Sequence, residues 1–404
     1  MLYDGDQSCV KLGNNITDNF ISNQGVKQGC TLSPLLFNIF LSDLQERIEV
    51  PENKPTEISP NNFLGCLIWA DDLLLLSQTE IGLNNMLKEL KKYSEENGLT
   101  VNIKKTKVMI FNKTGRHIRR NFYLGDLKVE TTREYKYLGF NITPHGGIAA
   151  GLIDLKDRAL KAYFKMKNKM GLSFRKYPIV TIKLFQTLIQ PILLYASDFW
   201  GVLKTPNNNP FEKIHMKFCK ELLGVKIQTT NIGVLLELGQ LPLSIYANKN
   251  AIKNWVRITD EKQYNSLIFS SYIHASNNNL MWPKRVKDTL SKIGMLETVI
   301  IKDRMAHTKA FQRLSDIFHQ SAFSEIKKET SKLRTYSTMK TQIGSVKRGE
   351  LGRRGDLGQE IVVLLFLIFL GRYDFAWEEV DLVDKGNDRS SPKKQSKPIY
   401  DRLA

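Results

Sequence analysis

The stretch from Phe63 to Leu76 constrains this chain more than any other: two short apolar runs meet at the adjacent carboxylates Asp71 and Asp72. Short apolar runs bounded by turn-forming residues form buried strands, so the pattern predicts a tight hairpin with both acids at its tip. Two like charges side by side repel, and beside an apolar core each also loses solvent. A divalent cation relieves both costs, because hard ions such as magnesium bind one or two carboxylates together with substrate phosphates. The competing explanation is an Asp-rich turn with no ligand. The neighbouring sequence decides between them.

Upstream, Gly25 and Gly29 flank Gln28, giving the backbone conformations and close approaches that a Cβ resists. Ser33 followed by Pro34 predicts a helix start, a hydroxyl cap and then proline at the first helical position. Phe37, Phe40, Leu41, Leu44 and Ile48 recur at helical spacing, so one amphipathic helix is expected over 34–48, with Pro51, Pro55 and Pro60 marking a loop after it. Beyond the acidic pair, Ser77 to Glu80 resembles a capping box. Leu83, Met86, Leu87, Leu90 and Ser94 then predict a second helix that stops at Gly98. Leu99 to Phe111 reads as a loop entering a strand, and further strands are expected over 127–130 and 135–142. Lys104 to Arg120 holds seven basic residues and no acidic one. This order of elements describes an α+β fold, an antiparallel sheet with helices on one face.

From Gly151 the pattern turns helical. Leu152, Leu155, Ala159, Tyr163, Met166 and Met170 line one face, while Lys156, Arg158, Lys161, Lys165, Lys167 and Lys169 crowd the rest. A helix over 180–195 should be interrupted at Pro191, and others are expected over 210–223 and 242–258. Charge matters here. The 404 residues carry a formal +18, and 148–226 alone holds 14 basic against 5 acidic residues. Such an excess favours a polyanionic partner, with lysines following a phosphate backbone independently of sequence, over a merely solvated helix face. The four cysteines form no Cys-x-x-Cys pair, which argues against a zinc knuckle or disulfide framework and fits a reducing, intracellular compartment. Met1 to Val10 lacks the features of a signal peptide. Ile361 to Leu370, the longest apolar run, is too short to span a bilayer, so no membrane partner is expected. Periodicity weakens beyond 260, and 343–404 is expected to be a partly disordered tail, with Asp384 to Lys397 rich in Pro, Ser and Lys.

Together these segments resemble the reverse transcriptase domain of LINE-type (non-LTR) retrotransposons. Gly25 to Phe37 is similar to the family's motif B, Trp69-Ala70-Asp71-Asp72 to motif C, and Asn102 to Lys107 to motif D. Tyr135 to Gly139 resembles the primer-grip segment, and Ile192 to Gly201 a stretch found downstream. The resemblance implies a right-hand palm followed by an α-helical thumb, an RNA template, a DNA primer and deoxynucleoside triphosphates. It also implies nucleotidyl transfer with two magnesium (or manganese) ions. On this reading Asp71 and Asp72 are catalytic metal ligands, and Lys105 stabilises the leaving pyrophosphate. Gln28, Gly29 and Lys107 contact the nucleotide or template, and Tyr137, Leu138 and Gly139 hold the primer. Lys156, Lys161, Lys165 and Lys169 track the nucleic-acid backbone.

One part of the family pattern is missing. Motif A supplies a third carboxylate on a strand well before the Gln-Gly element, and Asp4, Asp6 and Asp18 lack its apolar surroundings. The two-metal site is therefore expected to be incomplete, and the chain a truncated polymerase, inactive alone, whose missing N-terminal part of the same element is a partner. The implied organisation is a partial palm over 1–147, a basic helical thumb and connection over 148–260, a helical region over 261–342, and the tail. A non-catalytic nucleic-acid-binding scaffold is the alternative, with a two-metal nuclease behind it. Action at integrated copies implies the nucleus.

Overall fold

The computed structural model describes residues 7–21, 25–27, 29–203, 209–260, 266–295 and 305–327. The expected tail, with Ile361 to Leu370, lies outside them. Among the described residues no helix is long and apolar enough to cross a membrane.

The first part is mixed α and β. Short strands β1 (Gln7–Ser8), β2 (Lys11–Leu12), β3 (Asn15–Ile16) and β4 (Phe20–Ile21) precede α1 (Ser33–Phe40) and α2 (Leu44–Ile48). The helix expected over 34–48 is therefore broken at 41–43. Tyr93 supports the break: its hydroxyl lies 3.0 Å from the Phe40 carbonyl and 2.7 Å from Asp43 Oδ1, meeting a carbonyl that a continuous helix would have used. Nor does Ser33 cap. It is the first helical residue, and its hydroxyl instead donates to the Lys27 carbonyl at 2.6 Å.

The proline-bounded loop contains a 3₁₀ turn (Pro51–Asn53) and β5 (Thr56–Ser59), which pairs antiparallel with β6 (Asn62–Leu64). Next come β7 (Cys66–Trp69), β8 (Asp72–Leu75) and α3 (Glu80–Glu96). Thr79 caps α3, accepting from Gly82 N at 3.0 Å, and Gly98 follows the helix in the left-handed region at φ 64°. Then β9 (Lys107–Val108), β10 (Phe122–Leu124), β11 (Leu127–Thr131), β12 (Tyr135–Tyr137) and β13 (Phe140–Ile142) complete this part.

The expectation of one antiparallel sheet needs correction. Among the described residues the strands form separate two- and three-stranded sheets, and β9 pairs parallel with β11. Strands of two to five residues, interrupted by proline and polar turns, leave too little ladder to join one sheet. The expected strand over 135–142 is likewise a hairpin, turning at Leu138 and Gly139. What unifies the region is a single core, in which Leu44, Ile48, Cys66, Met86, Leu87, Leu90, Tyr93, Phe122, Leu124 and Val129 are buried together.

The second part is helical: α4 (Ala149–Met170), α5 (Ser173–Lys176), α6 (Pro178–Leu188), α7 (Gln190–Leu193), α8 (Ser197–Trp200), α9 (Pro210–Leu223), α10 (Asn231–Glu237) and α11 (Leu243–Ile258). Beyond them lie α12 (Leu267–Asn277), α13 (Met281–Lys292) and α14 (Ala306–Lys327). All six apolar positions read for α4 are buried, and the helix expected over 180–195 divides beside Pro191. Tyr163, Phe174, Phe185 and Phe218 interlock in the core, with Phe185 and Phe218 stacked at 4.1 Å.

Candidate functional site

The acidic pair sits on the β7–β8 hairpin. Cys66 pairs with Leu75, Leu67 with Leu74, Ile68 with Leu73 and Trp69 with Asp72, so the turn consists of Ala70 and Asp71. Ala70 lies at φ 52°, a left-handed conformation that costs a residue with a Cβ. A positive φ at the first turn position is the mark of primed hairpin turns, whose twist matches the strands they join. Alternation then sorts the faces. Cys66, Ile68, Leu73 and Leu75 pack into the core, while Leu67 and Trp69, opposite Leu74 and Asp72, form the outer face. The strands are thus half-buried, not buried, and both carboxylates are exposed to solvent. The expected desolvation of the acids does not occur, because only one face of this sheet is covered.

The base of the hairpin is anchored from below. Glu49 Oε1 accepts from Gly65 N (2.7 Å) and Cys66 N (3.2 Å), and Leu76 N donates to the Gly65 carbonyl at 2.7 Å. A Cβ at Gly65 would stand 2.7 Å from Glu49 Cγ, so only glycine lets Glu49 approach. Burial first, and the Glu49 charge second, push the Cys66 thiol up to about 11, which keeps it protonated and inert.

The β12–β13 hairpin comes next to the acidic tip. Burial raises the Tyr137 pKa, and the nearby Asp72 charge raises it further. Two residues earlier on β12, the Tyr135 hydroxyl donates to the Lys105 carbonyl at 3.4 Å. Residues i and i+2 of a strand share a face, so one side of β12 bridges from Asp72 to the loop bearing Lys105. At the turn, Leu138 (φ 45°) and Gly139 (φ 79°) are both left-handed, as a type I′ turn requires.

The remaining sequence-predicted residues divide. Lys105 is exposed and, among the described residues, has no ion-pair partner. Lys107 is engaged: Glu130, opposite it in the β9–β11 pair, holds its ammonium at 2.5 Å, and that bond lowers the Glu130 pKa. Gly29 is left-handed at φ 83°, with open space where a Cβ would stand, so conformation is what requires glycine there. Gln28, Asp4 and Asp6 lie outside the described residues, and Asp18 is exposed between β3 and β4. On α4, Lys161, Lys165 and Lys169 are exposed at four-residue spacing and share a face, while Lys156 lies 3.1 Å from Asp157. Sequence reasoning missed Arg158 and Tyr195. Arg158 Nη2 donates to the Gly139 carbonyl at 2.8 Å, and the Tyr195 hydroxyl donates to the Leu138 carbonyl. Tyr195 lies within the stretch Ile192 to Gly201, but its partner, 57 positions away, leaves no local signal.

Among the described residues no three His, Cys, Asp or Glu side chains converge on a metal position. Asp71 and Asp72 by themselves suit one hard divalent ion that shares its shell with water and substrate phosphates. They do not furnish a complete ligand set for two.

Residues 4–142 match the family model described as reverse transcriptase (RNA-dependent DNA polymerase). Curated relatives include the retrovirus-related Pol polyprotein from the type-1 retrotransposable element R2 of Popillia japonica. It is 33% identical over 140 residues, 34% of this chain and 21% of that protein. The polyprotein from the type-2 element R2DM of Drosophila melanogaster is 29% identical over 157 residues, covering 36% of this chain and 14% of that protein. The RNA-directed DNA polymerase from mobile element jockey of Drosophila funebris is 24% identical over 233 residues, 55% of this chain and 23% of that protein. That last alignment is longer than the family-model match, so similarity continues outside 4–142. The chain spans a quarter or less of the length of each of these relatives.

Proposed function

Since residues 4–142 belong to the reverse transcriptase family, in its non-LTR retrotransposon branch, we propose that this chain carries part of the machinery of RNA-directed DNA synthesis. The observation that supports this reading best is the bridge along β12, which gathers an acidic tip, a tyrosine face and a lysine loop: Asp72 acts on Tyr137, and Tyr135 bonds the Lys105 backbone. A nucleotidyl transfer needs these three chemistries together. Carboxylates hold the ion, a strand seats the primer end, and a cation meets the charge on the leaving pyrophosphate.

In this scheme the α+β part is the palm and the helices from α4 onward the thumb. Asp71 and Asp72 would hold magnesium, which when bound would lower the pKa of the attacking hydroxyl and neutralise phosphate oxygens. Trp69, on the same outer face as Asp72, offers an exposed ring beside the reacting groups. Tyr137 with the Leu138–Gly139 turn seats the primer. Lys105 serves the pyrophosphate; Lys107, being held by Glu130, supports the loop rather than the nucleotide. The lysines of α4 receive the duplex backbone. RNA template, DNA primer and deoxynucleoside triphosphates are the substrates.

A second reading, a nucleic-acid-binding scaffold without catalysis, is favoured by one specific observation, the lack of a third converging carboxylate among the described residues. Primer extension on an RNA template, with magnesium or manganese, separates the two. Incorporation that falls on the order of a hundredfold or more in Asp71→Ala supports the enzyme. Tight RNA binding with no incorporation, unchanged when polypeptide carrying the upstream part of such an element is added, supports the scaffold.

A further inference from the structure

The β12–β13 hairpin is fastened to the helices at its turn and along β12. Its only ladder is internal, since β12 and β13 pair with each other and with no other described strand. Apart from the Tyr135 bond to the Lys105 carbonyl, its outward attachments run to the helical part. Both carbonyls of its turn are taken, Leu138 O by the Tyr195 hydroxyl and Gly139 O by Arg158 Nη2 at 2.8 Å. Asp154 Oδ2 of α4 lies 3.2 Å from Lys136 Nζ and 2.9 Å from Arg158 Nη2, tying β12 to the same helix. The Phe140 ring occupies the space that a Cβ on Gly151 would fill. Tyr195 is itself fixed, because Trp200 Nε1 donates to its carbonyl at 2.8 Å and Trp200 is buried. Contacts therefore converge on the two residues whose left-handed backbone shapes the turn, and they come from α4 and from the corner between α7 and α8.

We infer that Tyr195 and Arg158 are positioning residues for the primer terminus. They fix the turn, the turn fixes β12, and β12 carries Tyr137 and, through Tyr135, the tie to the Lys105 loop. The inference rests on the proposed primer-seating role of that hairpin. It adds that the helical part, through these two donors, decides the register of the primer end against the acidic tip. A displacement of α4 by bound duplex would be carried to the hairpin through the Arg158–Gly139 bond and the Asp154–Lys136 pair. Neither residue touches the metal ligands, so neither acts chemically.

The test uses the full chain, an RNA template and a DNA primer ending in 4-thiothymidine, crosslinked by light at saturating protein. In the parent chain the crosslink should fall on the peptide containing residues 135–142. Tyr195→Phe deletes only the hydroxyl and Arg158→Gln only the charge and fork. Each should lower that crosslink about 3- to 10-fold, the equivalent of one hydrogen bond removed, and the double variant more than either. Primer–template affinity should change less than about twofold, because every phosphate-binding group is kept. A merely structural role for the pair would leave the crosslink site and yield of the folded protein unchanged. Yields within twofold of the parent in both variants would therefore overturn the positioning role while leaving primer seating intact. A parent crosslink at another peptide would overturn primer seating, and the positioning role with it. Amide exchange over 136–142 provides a second measurement: protection should drop in both variants, and unaltered protection would also count against the latch.

Discussion

The two halves of this molecule solve opposite problems. The helical part closes on itself: Tyr163, Phe174, Phe185 and Phe218 are wrapped on every side, and the Glu221 carboxylate is met by Tyr163, Lys167 and Lys217. The α+β part covers only one face of its acidic hairpin and leaves the other bare, with Leu67 42% and Trp69 67% exposed beside Asp72. Its backbone takes left-handed conformations at Ala70 and Leu138, as the helical part does at Ala196. Regular packing gives a rigid frame, whereas a site must keep its reactive face uncovered and accept strain to aim it. The seam between them, the β12–β13 hairpin, has the strained turn of the first and the fastenings of the second.

The sharpest break in that contrast should come from the helical core. Phe218→Ala removes a fully buried ring stacked on Phe185 and should cost about 3–5 kcal/mol, abolishing cooperative unfolding of the helices in a thermal melt. Trp69→Ala, on the bare face, should change stability by less than about 0.5 kcal/mol. Equal losses would mean that the outer face of the hairpin is covered after all.

The seam should respond next. Gly151→Ala puts a methyl group into the Phe140 ring, which should cost about 1–3 kcal/mol as overpacking. Pairing it with Phe140→Leu, which opens room, should recover part of the loss; a neutral Gly151→Ala would mean that the hairpin is not seated on α4. The pH response is smaller and has a definite sign. Burial pushes the Glu221 carboxyl up, but hydrogen bonds from Lys167, Lys217 and Tyr163 outweigh it and bring the folded value from 4.5 to about 2. A depressed carboxylate stabilises the fold above its unfolded pKa and loses that contribution as pH falls through the folded one. The helical part should therefore weaken between about pH 4.5 and 2, and Glu221→Gln should flatten that slope.

How far these features were legible in sequence follows from the range of the forces behind them. The six apolar positions of α4 are a local period, and the acidic hairpin is two apolar runs around a turn; both could be read directly. The turn at Leu138 could not, because a leucine at positive φ is locally unfavourable and is held by Tyr195 from far along the chain. The same holds for the helix break at 41–43, supported by Tyr93, and for Lys107, whose partner Glu130 arrives through a parallel pairing that no nearby residue announces. At the candidate site, residue chemistry was visible and its fastening was not. Periodicity reports burial along one element, but latches depend on where other elements end.

The least disruptive change should distinguish the halves by charge alone. Lys161 and Lys169 stand eight residues apart on the exposed face of α4, with Lys165 between them, so replacing both with glutamine removes two cations without touching the core. Stability should stay within about 0.5 kcal/mol of the parent. Binding of an RNA–DNA duplex should weaken, and the slope of log affinity against log salt should become shallower by up to about 1.8, at roughly 0.9 for each phosphate no longer neutralised. The weakening should be the same for any base sequence, since phosphate recognition carries no sequence information. Lys107→Gln is the matching change in the α+β part, and its ammonium already belongs to Glu130. It should leave the salt slope nearly unchanged. Were Lys107 to alter the slope as much as the α4 pair, the duplex would run over the β9–β11 pair rather than along the helix, and the division of labour between the two halves would have to be reversed.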